Sequence, residues 1–133
     1  MHILPVILLL LVMPISCATT NQTSRTEGLK PLSATELRAV LSDATANVTL
    51  PNGASFTSYL TPEGAIRGVN RTSTFTGTWE VTDDGKTCYE FSNQPGGKQC
   101  TAVYKVGDEY LDYDLNGRHK ATYTLTSGNI KNL

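Results

Sequence analysis

The chain has 133 residues, a charged fraction of 17%, a hydrophobic fraction of 39% and a formal net charge of −1, values that fit one globular domain and exclude a disordered or fibrous protein. Lysine and arginine together number 11 against 12 acidic residues, so the chain lacks the cationic excess that neutralises nucleic-acid phosphates. We therefore expect no nucleic-acid partner. Three cysteines and two histidines supply few groups for metal binding or catalysis, and we expect no cofactor.

Residues 1–17 have the pattern of a signal peptide. Residues 3–12 read ILPVILLLLV, an apolar run of about ten residues, whereas a membrane-spanning helix needs roughly twenty. Cleavage after Ala18 would place the small residues Ser16 and Ala18 at the −3 and −1 positions of an ordinary signal-peptidase site. Alternatively, the segment PISC at residues 14–17 resembles a bacterial lipobox, in which Cys17 is lipidated and becomes the first residue. We favour the lipoprotein, which predicts an exported protein held to a membrane in the bacterial periplasm or on the outer membrane.

Residues 18–32 are predicted to form a flexible tether to a single β-rich domain at residues 33–133. The tether is polar and shows neither helical nor strand periodicity. Exported proteins rarely keep a free thiol. Loss or acylation of Cys17 therefore leaves Cys88 and Cys100 as a predicted disulfide.

A short helix is predicted at the start of the folded domain. Ser33 and Glu36 have the spacing of a capping box, and Leu37 and Leu41 lie on one apolar stripe. We expect the helix to fade between residues 43 and 46. It must pack against the rest of the domain, since about ten residues do not make a stable helix alone.

From residue 47 onward, short alternating runs are separated by turn sequences about every ten residues, which is typical of an antiparallel meander. The predicted strands are 47–50, 54–60, 65–69, 74–82, 86–91, 98–106, 109–115 and 118–125. The predicted fold class is therefore mainly β: a short N-terminal helix packed on, or plugging, a bent, barrel-like antiparallel meander with one disulfide.

The length of the turn in the last hairpin predicts which residues pair across its two strands. A three-residue loop at residues 115–117 predicts two apolar and two charged cross-strand pairs: Leu111–Ala121, Tyr113–His119, Asp112–Lys120 and Asp114–Arg118. Both carboxylates would then lie on the outer face beside a cation and stay ionised. That arrangement argues against a catalytic acid or a calcium site in this acidic segment.

The hairpins around the two cysteines give conflicting predictions of the sheet face on which Cys88 and Cys100 lie. The turn at residues 83–85 places Cys88 on the outer face, whereas the turn at residues 107–108 groups Cys100 with Leu111 on the inner face. A bulge, or a face covered by the helix, is needed to reconcile the two assignments.

Residues 76–88 read TGTWEVTDDGKTC and contain the patterns G-x-W and D-G-x-x-C, with Cys100 as a second cysteine. With the LSATEL segment at residues 32–37 and the signal peptide, this layout resembles a group of small exported bacterial domains of unknown function. The resemblance covers most of the chain after residue 30. It implies export and a similar architecture, and it carries no catalytic residues.

Enzyme chemistry is not expected. His119 is the only histidine after the signal segment, so neither a serine triad nor a cysteine–histidine pair can be assembled convincingly. Two cysteines and one histidine at this spacing also fail the usual zinc patterns. We assign no catalytic and no metal-binding residues.

The aromatic side chains suggest a binding function instead, because some of them could line the mouth or cavity of a barrel. The candidate ligand-binding residues are Phe75, Trp79 and Tyr89. The predicted function is a non-enzymatic, exported binding or envelope-associated module for a small apolar ligand or a protein partner. Two alternatives stay open: a periplasmic protease inhibitor of the small β-barrel type, inserting segment 19–32 into a protease, and a hydrolase of envelope polymers. The hydrolase needs an Asp or Glu with a raised pKa in a cleft.

Overall fold

The computed structural model describes residues 25–133, which form one helix and eight strands. The elements are α1 (Ala34–Leu41), β1 (Ala44–Thr49), β2 (Ser55–Leu60), β3 (Ala65–Val69), β4 (Thr74–Val81), β5 (Thr87–Phe91), β6 (Gln99–Val106), β7 (Glu109–Tyr113) and β8 (His119–Ser127). The predicted signal peptide at residues 1–17, the lipidation site Cys17 and the first part of the tether, residues 18–24, lie outside the described residues.

The eight strands form a closed antiparallel barrel in which each strand pairs with its neighbours along the chain. The barrel closes where β1 pairs with β8 as well as with β2, from Ala44 opposite Ser127 to Thr49 opposite Thr122. Closure leaves no edge strand among the eight and gives the sheet one inner and one outer face. The predicted fold class, a short helix on a barrel-like antiparallel meander, is confirmed.

Helix α1 begins at its predicted capping box. The amide of Glu36 donates to the Ser33 hydroxyl at 3.2 Å, and the Ser33 amide donates to the Glu36 carboxylate at 3.0 Å. The helix ends at Leu41, earlier than the predicted fade, because Asp43 adopts a left-handed backbone conformation with φ of 56°. Strand β1 can therefore start at Ala44, three residues before the predicted boundary.

Helix α1 covers one end of the barrel. Leu37 and Leu41 are 0% and 1% exposed and belong to the barrel's hydrophobic core. The Arg38 guanidinium donates to the Val81 carbonyl at 3.0 Å and to the Asp83 carboxylate at 2.9 Å, which ties the helix to the end of β4. The β1–β2, β3–β4, β5–β6 and β7–β8 connections lie at the opposite, uncovered end.

The register around the cysteines has both of them on the outer face. Cys88 and Cys100 are directly opposite one another in β5 and β6 and form the predicted disulfide. Val103 belongs to the inner core and is opposite Asp112. Cys100 lies three positions before Val103 in β6 and Leu111 lies one position before Asp112 in β7, so both point outward. The expectation that Cys100 and Leu111 lie on the inner face is therefore wrong, and no bulge is needed between β5 and β6.

The last residues of the predicted tether contact the outside of the barrel. Arg25 forms an ion pair with Glu109 at 2.9 Å, and the Leu32 amide donates to the Val103 carbonyl at 2.8 Å. The bond from Leu32 falls where β6 has no β5 partner, because β5 pairs with β6 only through the three positions from Thr87 to Tyr89. The chain before α1 thus supplements the shortest strand pairing of the barrel.

Replacing both cysteines with serine is expected to lower the free energy of unfolding by about 3 kcal/mol, because the bridge closes a loop of about thirteen residues and restricts the unfolded chain. Urea unfolding of the Cys88→Ser/Cys100→Ser variant beside the wild type measures the difference. Equal midpoints for the oxidised wild type and the double variant would contradict a stabilising bridge.

Candidate functional site

The barrel encloses a cavity of about 360 Å³ that opens at the end opposite α1. Leu41 of α1, together with Leu60 and Ile66, lies at the covered end. The β5–β6 connection contributes Gln94 and Pro95 at the open end. A volume of this size is at the lower end of the range for small-molecule sites.

The cavity wall is mostly hydrocarbon and aromatic, with a few polar side chains. The apolar and aromatic lining residues are Leu41, Ala46, Val48, Leu50, Phe56, Leu60, Ile66, Tyr89, Phe91, Pro95, Ala121 and Tyr123. The polar lining residues are Ser58, Gln94, Gln99, Thr101, Asp112 and Lys120. Apolar walls with a few placed polar groups are the usual composition of a ligand site.

Of the three residues predicted to bind a ligand, only Tyr89 lines this cavity. Trp79 is in the core near the covered end, where its indole nitrogen donates to the Thr61 carbonyl at 3.0 Å. Phe75 packs edge-on against Phe56 and Phe91, with ring centroids 5.5 and 5.7 Å away, and so supports two lining rings from behind. Trp79 and Tyr89 are directly opposite one another in the β4–β5 hairpin.

The structure places Asp112 inside the barrel, although the sequence predicts it on the outer face beside Lys120. The pairing of β7 with β8 shifts by one residue between Asp112 and Tyr113. Tyr113 keeps its predicted partner His119, but Asp112 is opposite Ala121 and points inward. The predicted Asp112–Lys120 pair is therefore wrong, because the prediction assumed a regular strand.

Asp112 and Asp114 are in different environments because β7 ends at Tyr113 and Asp114 belongs to the turn that follows. Asp114 lies at the rim and accepts hydrogen bonds from the amides of Arg118 and Asn116, both at 2.9 Å. Its carboxylate is also 3.3 Å from the Arg118 guanidinium, as predicted. The amide of Arg118 is the main cause that lowers the pKa of Asp114.

Asp112 is 5% exposed, and burial raises its pKa from 3.8 to about 7. The nearby hydroxyls of Tyr123 and Thr101 act in the opposite direction but do not offset the loss of solvation. The Oδ1 atom of the Asp112 carboxylate has no hydrogen-bond partner of ordinary geometry among residues 25–133, and the same is true of the Tyr123 hydroxyl. The acidic side chain thus faces the cavity without an ion pair.

Two tyrosines share this polar region with Asp112. Burial, and next the charge of Asp112, raise the pKa of Tyr89 and of Tyr123 well above 10, so both stay neutral hydroxyls. Ser58, on β2, adds another cavity hydroxyl whose oxygen has no hydrogen-bond partner among the residues described. We call Ser58, Tyr89, Thr101, Asp112 and Tyr123 the polar cluster. It gives a ligand several acceptors and donors within an apolar wall.

Within residues 25–133, no three His, Cys, Asp or Glu side chains lie close enough together to hold a metal ion. The same residues contain no helix of the length and hydrophobicity needed to cross a bilayer. Asp112 is the one carboxylate among the cavity-lining residues, and Lys120, which is exposed, is the one cation among them.

Replacing Asp112 with Asn is expected to remove a pH dependence of stability. Because the folded protein holds this proton more tightly than the unfolded chain, the contribution of Asp112 is complete below about pH 4 and is lost as the pH rises to about 7. The loss is on the order of 4 kcal/mol. Urea unfolding of wild type and Asp112→Asn between about pH 4 and about pH 8 measures it.

The matched variant is Asp114→Asn. Since the pKa of Asp114 is lowered, its carboxylate stabilises the fold only at higher pH, and its dependence has the opposite sign. Parallel pH profiles for the wild type and Asp112→Asn would contradict the assignment of a buried, unpaired Asp112.

Comparison with known proteins gives one match. A family model described as "Protein of unknown function (DUF995)" matches residues 7–107, a stretch that contains α1, β1 to β6 and both bridged cysteines. Asp112 and Tyr123 lie beyond the matched residues. Searches of the curated proteins and of the solved structures gave no match. The match agrees with the resemblance to small domains of unknown function and covers more than half of the chain, which therefore belongs to this family of proteins of unknown function.

Proposed function

We propose that the protein is a non-enzymatic binding module whose barrel takes a small, largely apolar ligand into its cavity. The observation that supports this most directly is the cavity itself, a space of about 360 Å³ with an apolar wall and an opening at one end. A tightly packed core would leave no such space, since protein interiors normally contain few voids larger than a water molecule.

The cavity also limits the size of the ligand. One water molecule occupies about 30 Å³ of the liquid, so the space corresponds to roughly twelve waters, and we take a ligand with about that number of non-hydrogen atoms as the size to test. The aliphatic side chains of Leu41, Leu60 and Ile66 at the covered end favour a hydrocarbon or aromatic portion there. The polar cluster then receives whatever polar group the ligand carries.

The proposed setting is outside the cytoplasm, with the domain tethered to a membrane through a lipid on Cys17. The support is the signal-peptide pattern of residues 1–17, the lipobox-like PISC sequence and the Cys88–Cys100 disulfide, since structural disulfides form in oxidising compartments. A tethered binding module would meet ligands that are present in the cell envelope.

A hydrolase is the second candidate, because Asp112 combines a raised pKa with a position in a cavity. Glycoside hydrolysis normally needs a second carboxylate about 5 to 10 Å from the acid. The cavity-lining residues include only Asp112 as an acid, so binding without turnover is the proposal that the site supports better.

We expect 1-decanol, which has eleven non-hydrogen atoms, to bind in the cavity. A phenylalanine at position 121 would fill the cavity beside Asp112, so the variant Ala121→Phe should bind 1-decanol at least tenfold more weakly than the wild type. Titration calorimetry measures both affinities. The control is Thr124→Phe, which adds the same ring at an exposed position of β8 and should leave the affinity unchanged.

Two results would overturn the cavity-binding proposal. One is the absence of binding by 1-decanol, decanoic acid and 1-decylamine, together with recovery of the protein from its own envelope without any retained small molecule in native mass spectrometry. The other is equal weakening of 1-decanol binding by Ala121→Phe and Thr124→Phe, which would place the ligand outside the barrel.

The tether has its own test. Cells expressing the protein and fed an alkyne analogue of palmitate should yield a labelled protein, and the Cys17→Ser variant should lose the label, because Cys17 is the proposed acylated residue. A label that persists in Cys17→Ser would refute acylation at this residue and leave the cavity proposal standing.

A further inference from the structure

We propose that the ligand is a small amphiphilic amine, whose ammonium group pairs with Asp112 while its hydrocarbon or aromatic part fills the covered end of the barrel. This inference rests on the proposed function and narrows it to one chemical class. Three observations carry it: the position of Asp112, the absence of an ion pair to its carboxylate among residues 25–133 together with an Oδ1 atom that has no hydrogen-bond partner there, and the arrangement of apolar side chains beneath it.

Asp112 lies next to the last residue of β7, and β7 runs from the covered end toward the open end. Its side chain is 95% buried yet lines the cavity, so it can be reached by a ligand inside the barrel and hardly by bulk solvent. Leu41, Leu60 and Ile66 lie farther in, at the covered end. The cavity therefore has a polar group nearer its opening and an apolar wall deeper in, which fits a ligand with a polar head and an apolar tail.

Carboxylate oxygen Oδ1 of Asp112 has no hydrogen-bond partner among residues 25–133, and the nearby Tyr123 hydroxyl and Ser58 hydroxyl share that condition. A buried carboxylate without an ion pair is costly, and a cation that donates hydrogen bonds to it offsets part of that cost. An ammonium group has three donors and one positive charge, which matches one carboxylate and the adjacent hydroxyl oxygens.

The other groups that face Asp112 do not supply that cation. Tyr89 from β5, Thr101 from β6 and Tyr123 from β8 offer neutral hydroxyls. Lys120 of β8 also lines the cavity, but its side chain is exposed and forms no ion pair with Asp112. The position of a cation inside the barrel is therefore available to a ligand.

The test compares 1-decylamine, 1-decanol and decanoic acid, which share one chain length and differ in the head group. Titration calorimetry at about pH 8, where most Asp112 carboxyls are ionised, should give an affinity for the amine at least tenfold higher than for the alcohol, and the acid should bind most weakly. At about pH 5 the amine should lose most of its advantage, since Asp112 is then protonated.

The Asp112→Asn variant should bind the amine and the alcohol with affinities within about threefold of each other, because the amide keeps the shape but not the charge. The control Asp108→Asn removes the same charge from the exposed β6–β7 turn at the covered end and should keep the preference for the amine. These two variants distinguish a specific pair from a general effect of net charge.

A second measurement needs no variant. Pairing with an ammonium group stabilises the ionised form of Asp112, so binding at about pH 7 should release roughly half a proton per complex to the buffer. Calorimetry in two buffers with different ionisation enthalpies measures this release. The control is 1-decanol, which should release none.

The outcomes separate this inference from the proposed function. Binding of 1-decanol as tight as that of 1-decylamine, or a preference for the amine that survives in Asp112→Asn, would overturn the inference and keep the cavity proposal. Absence of proton release on amine binding would also overturn it. Failure of all three probes to bind would contradict the cavity proposal, and the inference would fall with it.

Discussion

The hydrogen-bonded pairing of β1 with β8 is the constraint on which the rest of the structure depends. It joins the first and last strands over six residue pairs, from Ala44 to Thr49 and from Thr122 to Ser127, and so converts a meander into a closed barrel. Once the sheet is closed, each strand residue is committed to the interior or the exterior. A polar side chain on the inner face, away from the open end, is then shielded from bulk water by the barrel wall.

The commitment of each strand residue to one face explains why Asp112 is buried and why its pKa is raised. Asp112 alternates with the core residue Tyr110 along β7 and is opposite the core residue Val103, so its carboxyl points inward, and burial in an apolar cavity raises its pKa to about 7. The one-residue shift between β7 and β8 decides only which residue lies opposite Asp112, and it places Ala121 there instead of Lys120. Local irregularities that oppose stability are common at binding and catalytic sites, where the surrounding structure supports the strained arrangement.

The part of the barrel with the fewest paired residues lies beside the cavity mouth. Strands β5 and β6 share three paired positions, and their connection contributes Gln94 and Pro95 to the cavity wall. Two contacts outside the sheet support this region: the Cys88–Cys100 disulfide and the hydrogen bond from Leu32 to Val103. The disulfide and the N-terminal segment therefore hold the strands that carry the rim of the opening.

The sequence alone determined the elements of this fold, and only the tertiary structure decided its site. Local signals were enough for these elements: the Ser33–Glu36 spacing predicted the capping box, and turn residues with alternation predicted the eight strands. The count of cysteines left after Cys17 predicted the disulfide. The ends of α1 and β1 depended on the backbone of Asp43, which no periodicity encodes. The assignment of Asp112 to the interior required the pairing of β7 with β6, which sets it opposite the core residue Val103, and the β7–β8 shift then keeps Lys120 from lying opposite it. Phe75, Trp79 and Tyr89 are all aromatic and all predicted from one hairpin region, but only barrel closure and the position of α1 leave Tyr89 beside open space while the other two pack into the core.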